Sequence, residues 1–310
     1  MKRKGILTTA LAGILAVSAL TGCSSSGNTA ASGGSSKGSG ATIRVGSKDF
    51  TENEIVSELY ALALEDAGFK VDRKFDISSS VIHTSIVNNE IDLYPEYTGT
   101  GLISILQDDP ITDPQEVYDT VKKQYEDKFK ITWLDMAQAN DGQGLFISKK
   151  AADKYNIKTI SDLQKHASDL RFASQGEFDQ RADGIPALEK TYGKFDWKSS
   201  KVYDNGLKYE VVENGEADVA PAYTTEGMLS ETDKFVLLDD DKHVWPPYNI
   251  APVVRDEVLK ANPKIREALK KVDDTLDTKT VTALNAKVDV DKEEYEDVAA
   301  DYWKTIKDKK

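Results

Sequence analysis

Hydrophobic positions along residues 42–100 switch between the period of a strand and that of a helix. Ile43-Arg-Val45 alternates as a strand does. Ile55, Leu59, Leu62, Ala63 and Ala67 then recur at helical spacing, and Thr51 followed by Glu54 has the form of a capping box. Gly68 ends this helix. Residues 70–75 read as a second strand, 79–89 as a helix and 91–94 as a third strand. This order predicts an open, mostly parallel sheet covered by helices. Beyond a helix over 115–129 and strands at 131–136 and 145–148, the alternation restarts. Residues 161–166, 185–192 and 207–214 read as helices, and 171–173 and 201–203 as strands. A strand at 251–254 and helices over 263–276, 278–286 and 293–307 close the chain.

One pattern in this series occurs twice. Glu90-Ile-Asp92-Leu-Tyr-Pro95-Glu-Tyr97-Thr98-Gly99 is echoed 126 positions later by Glu216-Ala-Asp218-Val-Ala-Pro221-Ala-Tyr223-Thr224-Thr225. Each copy follows a predicted helix and ends a predicted strand. Two similar halves, each offering Tyr-Thr at a strand end, leave room for a small ligand between them. Two copies do not imply a solenoid. The Gly- and Pro-rich stretches 140–144 and 245–250 bracket the second set of βα units. They suit a first lobe formed by 41–142 plus 250–310, with a second lobe, 143–249, inserted and hinged on two crossings. Two consecutive domains are the other division.

The N-terminal region follows a different logic. Residues 1–22 carry Lys2, Arg3 and Lys4 ahead of an apolar run too short to span a bilayer, the plan of a secretory leader. Leu20-Thr-Gly-Cys23 resembles the lipobox of bacterial lipoproteins, which makes Cys23 an acylated anchor to the outer face of a membrane. Residues 23–41, rich in Ser and Gly, form a flexible tether. With one cysteine there is no internal disulfide and no Cys-based metal site. The full chain has 40 basic and 53 acidic residues. Without the leader's three basic residues the balance is 37 to 53, or −16, which disfavours nucleic acid and anionic lipid surfaces as partners.

Catalytic patterns are missing. His83, His166 and His243 are the only histidines and lack metal-ligand spacing. No nucleophile elbow or Walker-type loop occurs, and no cofactor is implied. The aromatic residues say more. Tyr97 and Tyr223 end the repeated strands, Tyr248 follows two prolines at the second crossing, Trp245 lies just before it, and Phe50 follows the first strand. A single Tyr of this kind packs in a core or a rim; three at strand ends and crossings together point to a site. Ligands of α/β sheets lie beyond the carboxyl ends of the strands. Several ring faces around one cavity suit a quaternary ammonium, a cation without N–H donors. Lys48 and Arg181 are candidates for an anionic end of the ligand, and both equally suit solvated surface charges.

The ordered set Gly46-Ser-Lys48-Asp-Phe50-Thr-Glu-Asn53, Asp92 to Thr100, Glu177-Phe-Asp-Gln-Arg181-Ala-Asp-Gly184, Pro221-Ala-Tyr223-Thr-Thr and Pro246-Pro-Tyr248 resembles the glycine betaine/choline/carnitine substrate-binding proteins of osmoprotectant ABC importers. The resemblance runs from Thr42 to the C-terminus. It implies an α/β, two-lobed periplasmic-binding-protein fold of type II with a ligand cleft between the lobes. The protein is then a non-enzymatic lipoprotein of a Gram-positive membrane that delivers its solute to an ABC permease. By the same resemblance Tyr97, Tyr223 and Tyr248 cage a trimethylammonium group, Lys48, Thr100 and Arg181 hold a carboxylate, and Asp141 lies near the cation. Gln143 stands where several members place a fourth cage tyrosine, so the cage has three rings or is completed by Phe50 or Trp245. Glycine betaine, carnitine, choline and ergothioneine are all compatible. The rival reading is a different zwitterion held mainly by Arg181 and Lys48.

Overall fold

The computed structural model describes residues 40–180 and 183–308. Among the described residues ten strands form two five-stranded sheets. The first sheet has the order β2-β1-β3-β10-β4, from Lys70–Ile77, Thr42–Lys48, Leu93–Tyr97, Ile250–Arg255 and Ile131–Trp133. The second has the order β7-β6-β8-β5-β9, from Ser199–Val202, Arg171–Ser174, Val219–Tyr223, Gln143–Ser148 and Phe235–Leu237. The two orders are the same plan. Four strands in each sheet point the same way, and the strand that enters from the other sheet, β10 or β5, lies antiparallel to its two neighbours. The expected mostly parallel sheet is found, with one antiparallel strand in each. A crossing strand carries no βα unit of its own and is free to run the opposite way.

Each sheet is covered on both faces. On one side of the first lie the helices Thr51–Asp66, Lys264–Asp273, Thr278–Asp289 and Tyr295–Ile306, packed over Ile43, Val45 and Leu93. On the other, the helix Pro114–Phe129 packs with Trp133, Tyr94 and Val253. In the second, Leu145, Ile147 and Phe172 meet one helical layer, and Phe146, Ala173 and Ala220 meet Tyr209 and Val212 on the other. Burial on both faces explains why β3 and β8 read as short apolar runs rather than alternating strands.

Some local expectations are corrected. Thr51 is no cap: the helix Thr51–Asp66 starts after Phe50 without a side-chain cap, and the Thr51 hydroxyl donates to Asp289 instead. The helix expected over 79–89 is the shorter Ile82–Val87. A helix at Lys149–Tyr155 and strand β9 carry no expectation from periodicity; both are short, and β9 has only three residues.

Two devices recur in both sheets and account for the repeated motif. Arg44 on β1 grips Asp92 through its Nε (3.1 Å) and its Nη2 (2.5 Å), and its backbone N–H donates to the same carboxylate at 2.9 Å. Its Nη1 donates to the carbonyl of Asn89. Arg171 on β6 treats Asp218 identically, through Nε (2.8 Å), Nη2 (2.8 Å) and its backbone N–H (2.9 Å), with Nη1 donating to Gly215 O at 2.6 Å. Asn89 and Gly215 present those carbonyls from the left-handed region, at φ 63° and 72°, which Gly and Asn reach at least cost. The Asp of the motif is thus a structural clamp, charge-assisted and bidentate.

The second device is the threonine. Thr98 donates its hydroxyl to Pro247 O (3.0 Å) and accepts from Asn249 N–H (3.0 Å). Thr224 donates to Asn140 O (2.7 Å) and accepts from Gly142 N–H (2.9 Å). Each Thr stitches the end of its strand to the crossing beside it. The crossings pair with each other through Asp141 N–H to Tyr248 O and an Asn140–Asn249 bridge. A side chain at Gly99 would come within 2.7 Å of the Tyr248 ring, so this position needs glycine for the ring to lie there.

Candidate functional site

Tyr97 and Tyr248 belong to one buried cluster, at 4% and 9% exposure. The Phe50 ring lies 6.0 Å from Tyr97, tilted by 32°, and is itself exposed. Tyr223 stands at the equivalent end of β8, paired in register with Gln143, and is 40% exposed. The first sheet therefore supplies rings that are covered, and the second an open one. Trp245 packs in the core beneath the second sheet and donates its indole N–H to Asp183 O at 2.6 Å. Gln143 is buried, and its amide lies 3.4 Å from the Asp183 carboxylate. Both Gln143 and Trp245 line a cavity of about 570 Å³ beside the crossings, with Asn140, Thr224 and Pro247. The tyrosines are not among its lining residues, so this cavity lies beside the tyrosine cluster rather than within it.

Lys48 lies at the end of β1, buried, with its ammonium 2.5 Å from Glu96 Oε1 and 4.8 Å from the centre of the Tyr97 ring. Glu96 also accepts from the Tyr94 hydroxyl at 2.9 Å. The charge of Lys48 is thus already matched within the first sheet, at a depth where an unpaired ammonium is costly. Thr100 is half-buried at the turn after β3. Arg181 and Cys23 lie outside the described residues, as do the expected leader and nearly all of the tether.

Residues that sequence reasoning did not single out gather behind Tyr97. Glu52, in the first turn of its helix, accepts from the Tyr97 hydroxyl (2.9 Å) and from Asn285 Nδ2 (3.0 Å), and also touches Thr225. Thr225 donates its hydroxyl to Asp141 at 2.6 Å. Asn285 donates to the Thr225 carbonyl as well, at 2.8 Å. Gly227 packs against the backbone at Ala286. Burial pushes the Glu52 carboxyl up, against the close Thr225 hydroxyl and the hydrogen bonds from Asn285 and Tyr97, which hold it down. Burial pushes Asp141 well above the usual carboxylate range, and the neighbouring Glu52 charge adds to this. Part of Asp141 remains at the surface, but its carboxyl end is enclosed. The Tyr97 phenol is raised by burial and by the same two acids. The signal for Glu52 was present in the chain, inside the segment Phe50-Thr-Glu-Asn53; the signal for Asn285 was not, because only packing of a C-terminal helix brings it there.

No helix of the described residues is long and apolar enough to cross a membrane, and none of them form a group of three or more metal-ligating side chains.

Comparison with known proteins places this geometry. Residues 41–305 match the family described as the substrate binding domain of ABC-type glycine betaine transport systems. The chain is 33% identical over 264 residues to the ergothioneine transport permease/ergothioneine binding protein EgtU of Helicobacter pylori. That alignment covers 84% of this chain and 47% of the relative, so the chain spans about half of that protein's length. It is 33% identical over 261 residues to the carnitine transport binding protein OpuCC of Listeria monocytogenes, covering 83% of each. A crystal structure of a glycine betaine/carnitine/choline ABC transporter superimposes with a TM-score of 0.80 at 27% identity, over 86% of this chain and 98% of that one. The two-lobed periplasmic-binding-protein fold expected from the motifs is the fold observed.

Proposed function

Since this chain belongs to the family of substrate-binding domains of ABC-type glycine betaine transport systems, we propose that it captures a quaternary-ammonium solute between its two sheets and passes it to a permease. The family is one of solute-binding domains, and the chain is not an enzyme. Glycine betaine, carnitine, choline and ergothioneine are the solutes to test.

The observation that carries this reading is the burial of Tyr97 and Tyr248 in one cluster, with the Tyr97 hydroxyl on Glu52 and the Tyr248 backbone carbonyl on the Asp141 N–H. A fixed cation has no N–H to satisfy, so it gains from ring faces and negative potential and loses nothing for want of acceptors. Each ring face contributes about 0.5–2 kcal/mol. Tyr223, exposed on the second sheet, is the ring that closes over the solute when the lobes approach. Phe50, beside Tyr97, is the rim on the other side. Gln143, with its amide near Asp183, offers a hydrogen bond to a hydroxyl or ring nitrogen where a fourth phenol would only pack. Lys48, Thr100 and Arg181 are the groups proposed for a ligand carboxylate, and one of the three donors of Lys48 is committed to Glu96. Trp245, bonded to Asp183, supports the wall from beneath.

The lobes move as 41–142 plus 250–310 against 143–249, and the protein is held outside the cell by a lipid on Cys23. Labelled fatty acid should enter the wild-type protein and not C23A, which should be released to the medium. Isothermal titration with the four solutes, and with proline as a neutral-face control, tests the ligand class. Binding of at least one methylated amine below millimolar is expected; a preference for a ligand without a fixed cation overturns the cage.

A further inference from the structure

The acid pair behind Tyr97 has more acceptors than donors. Glu52 comes from the helix Thr51–Asp66, Asp141 from the first crossing, and both meet Thr225, which follows β8 of the second sheet. The single hydroxyl proton of Thr225 goes to Asp141, so it has none to give Glu52. Tyr97 and Asn285 supply one hydrogen bond each to Glu52. Asn285 Oδ1, on a residue 4% exposed, is buried and has no hydrogen-bond partner among the described residues. The Thr225 backbone N–H adds one more donor to Asp141, and the remaining groups facing the pair bring no counter-ion. Lys48 is the cation acting on Glu52, and it is already paired with Glu96. Glu226 faces Asp141 with a further negative charge, itself paired with Lys208. Asn53 donates to Pro95 O and lies 3.4 Å from the Tyr97 hydroxyl. Among the described residues no Lys, Arg or His forms an ion pair with Glu52 or Asp141. With no counter-ion of their own among the described residues, two neighbouring enclosed carboxylates disfavour being ionised together.

We propose that Glu52 and Asp141 hold one proton between them in the empty protein, and that the cation of the incoming solute displaces this proton to solvent. The inference rests on the functional reading above and makes Glu52 a specificity determinant, because only a positive ligand replaces the charge that leaves. Linkage fixes the sign. The empty site holds its proton more tightly than the filled one, so affinity rises with pH while the pair is still protonated, and then levels off. The limit is about tenfold per pH unit for one proton released. Burial raises the affinity of both carboxyls for protons, in the direction this requires.

Titration calorimetry with glycine betaine, carnitine, choline and ergothioneine, in phosphate and in Tris from pH 5.5 to 8.5, counts the protons released. Close to one per solute is expected in the lower part of the range, with affinity rising in parallel. E52Q cannot ionise and should release none and bind with little pH dependence; a merely structural Glu52 would weaken binding and leave its pH dependence intact. Infrared spectra of the ligand-free protein supply an arm that needs no ligand, a protonated-carboxyl band at pH 7 that is lost in E52Q or D141N. Absence of that band, or binding with no proton release at any pH, overturns the proposal. If the band is present and no methylated amine binds, the functional reading falls, and the displacement step with it, while the shared proton stands on the band alone.

Discussion

The two halves of this protein share a scaffold and differ in chemistry. Both are clamped by an Arg–Asp pair between the second and third strands in the order of their sheet, and both stitch a strand end to a crossing through Thr. By count from those arginines, Lys48 corresponds to Gln175, and by the motif Glu96 corresponds to Ala222. The first half therefore encloses an ion pair where the second has an amide and a methyl. At the motif tyrosine the contrast continues: Tyr97 is buried against Glu52, and Tyr223 is exposed. The repeated Asp and Thr build the same frame in each half, and the unrepeated residues set its surroundings. In the proposed function one half is a preformed, charged seat and the other an open cover.

Substitutions in the two halves sharpen this contrast, and the largest effect belongs to the first. Glu96→Ala leaves the Lys48 ammonium buried and unpaired, and should cost about 3–5 kcal/mol of stability by urea denaturation. Asp218→Ala in the second half removes a clamp whose arginine is about one-third exposed, and should cost about 1–2 kcal/mol by the same measurement. An equal cost for the two would remove the asymmetry. Next come the threonines. Thr98→Val strips hydrogen bonds from two fully enclosed backbone groups and should cost about 1–3 kcal/mol; Thr224→Val, in a more open place, should cost less. Tyr223→Ala should change stability by no more than about 0.5 kcal/mol while weakening solute binding roughly tenfold. The smallest effect is in pH. Carboxyls whose proton affinity is raised by burial favour the folded state at low pH and lose that advantage as pH rises through their folded-state value. Thermal melts should accordingly show wild type losing stability relative to E52Q as pH rises from 5 to 8.

Much of this organisation is legible in the chain. The motif at Glu90 and Glu216 marks the third strand of each sheet, and Tyr97 and Tyr223 mark equivalent ends, because short-range patterning fixes strands and their turns. The role of Asp92 and Asp218 is not legible, since each needs an arginine 48 or 47 residues earlier, brought close only by parallel pairing. Thr51 fits a capping box by spacing, yet tertiary contact with Asp289 takes its hydroxyl. The antiparallel course of β5 and β10 escapes a reading based on βα alternation, because it follows from the chain leaving one sheet and returning from the other. Asn285 could not be found from sequence at all. Its amide bridges Glu52 and Thr225 across 233 and 60 residues.

Titration calorimetry of wild type and Tyr223→Ala with glycine betaine, carnitine, choline and ergothioneine bears most directly on the seat-and-cover account. It predicts that wild type binds at least one of these below millimolar, and that Tyr223→Ala loses about tenfold in affinity with an unchanged melting temperature of the empty protein. No binding below millimolar, or full affinity without the Tyr223 ring, would contradict it.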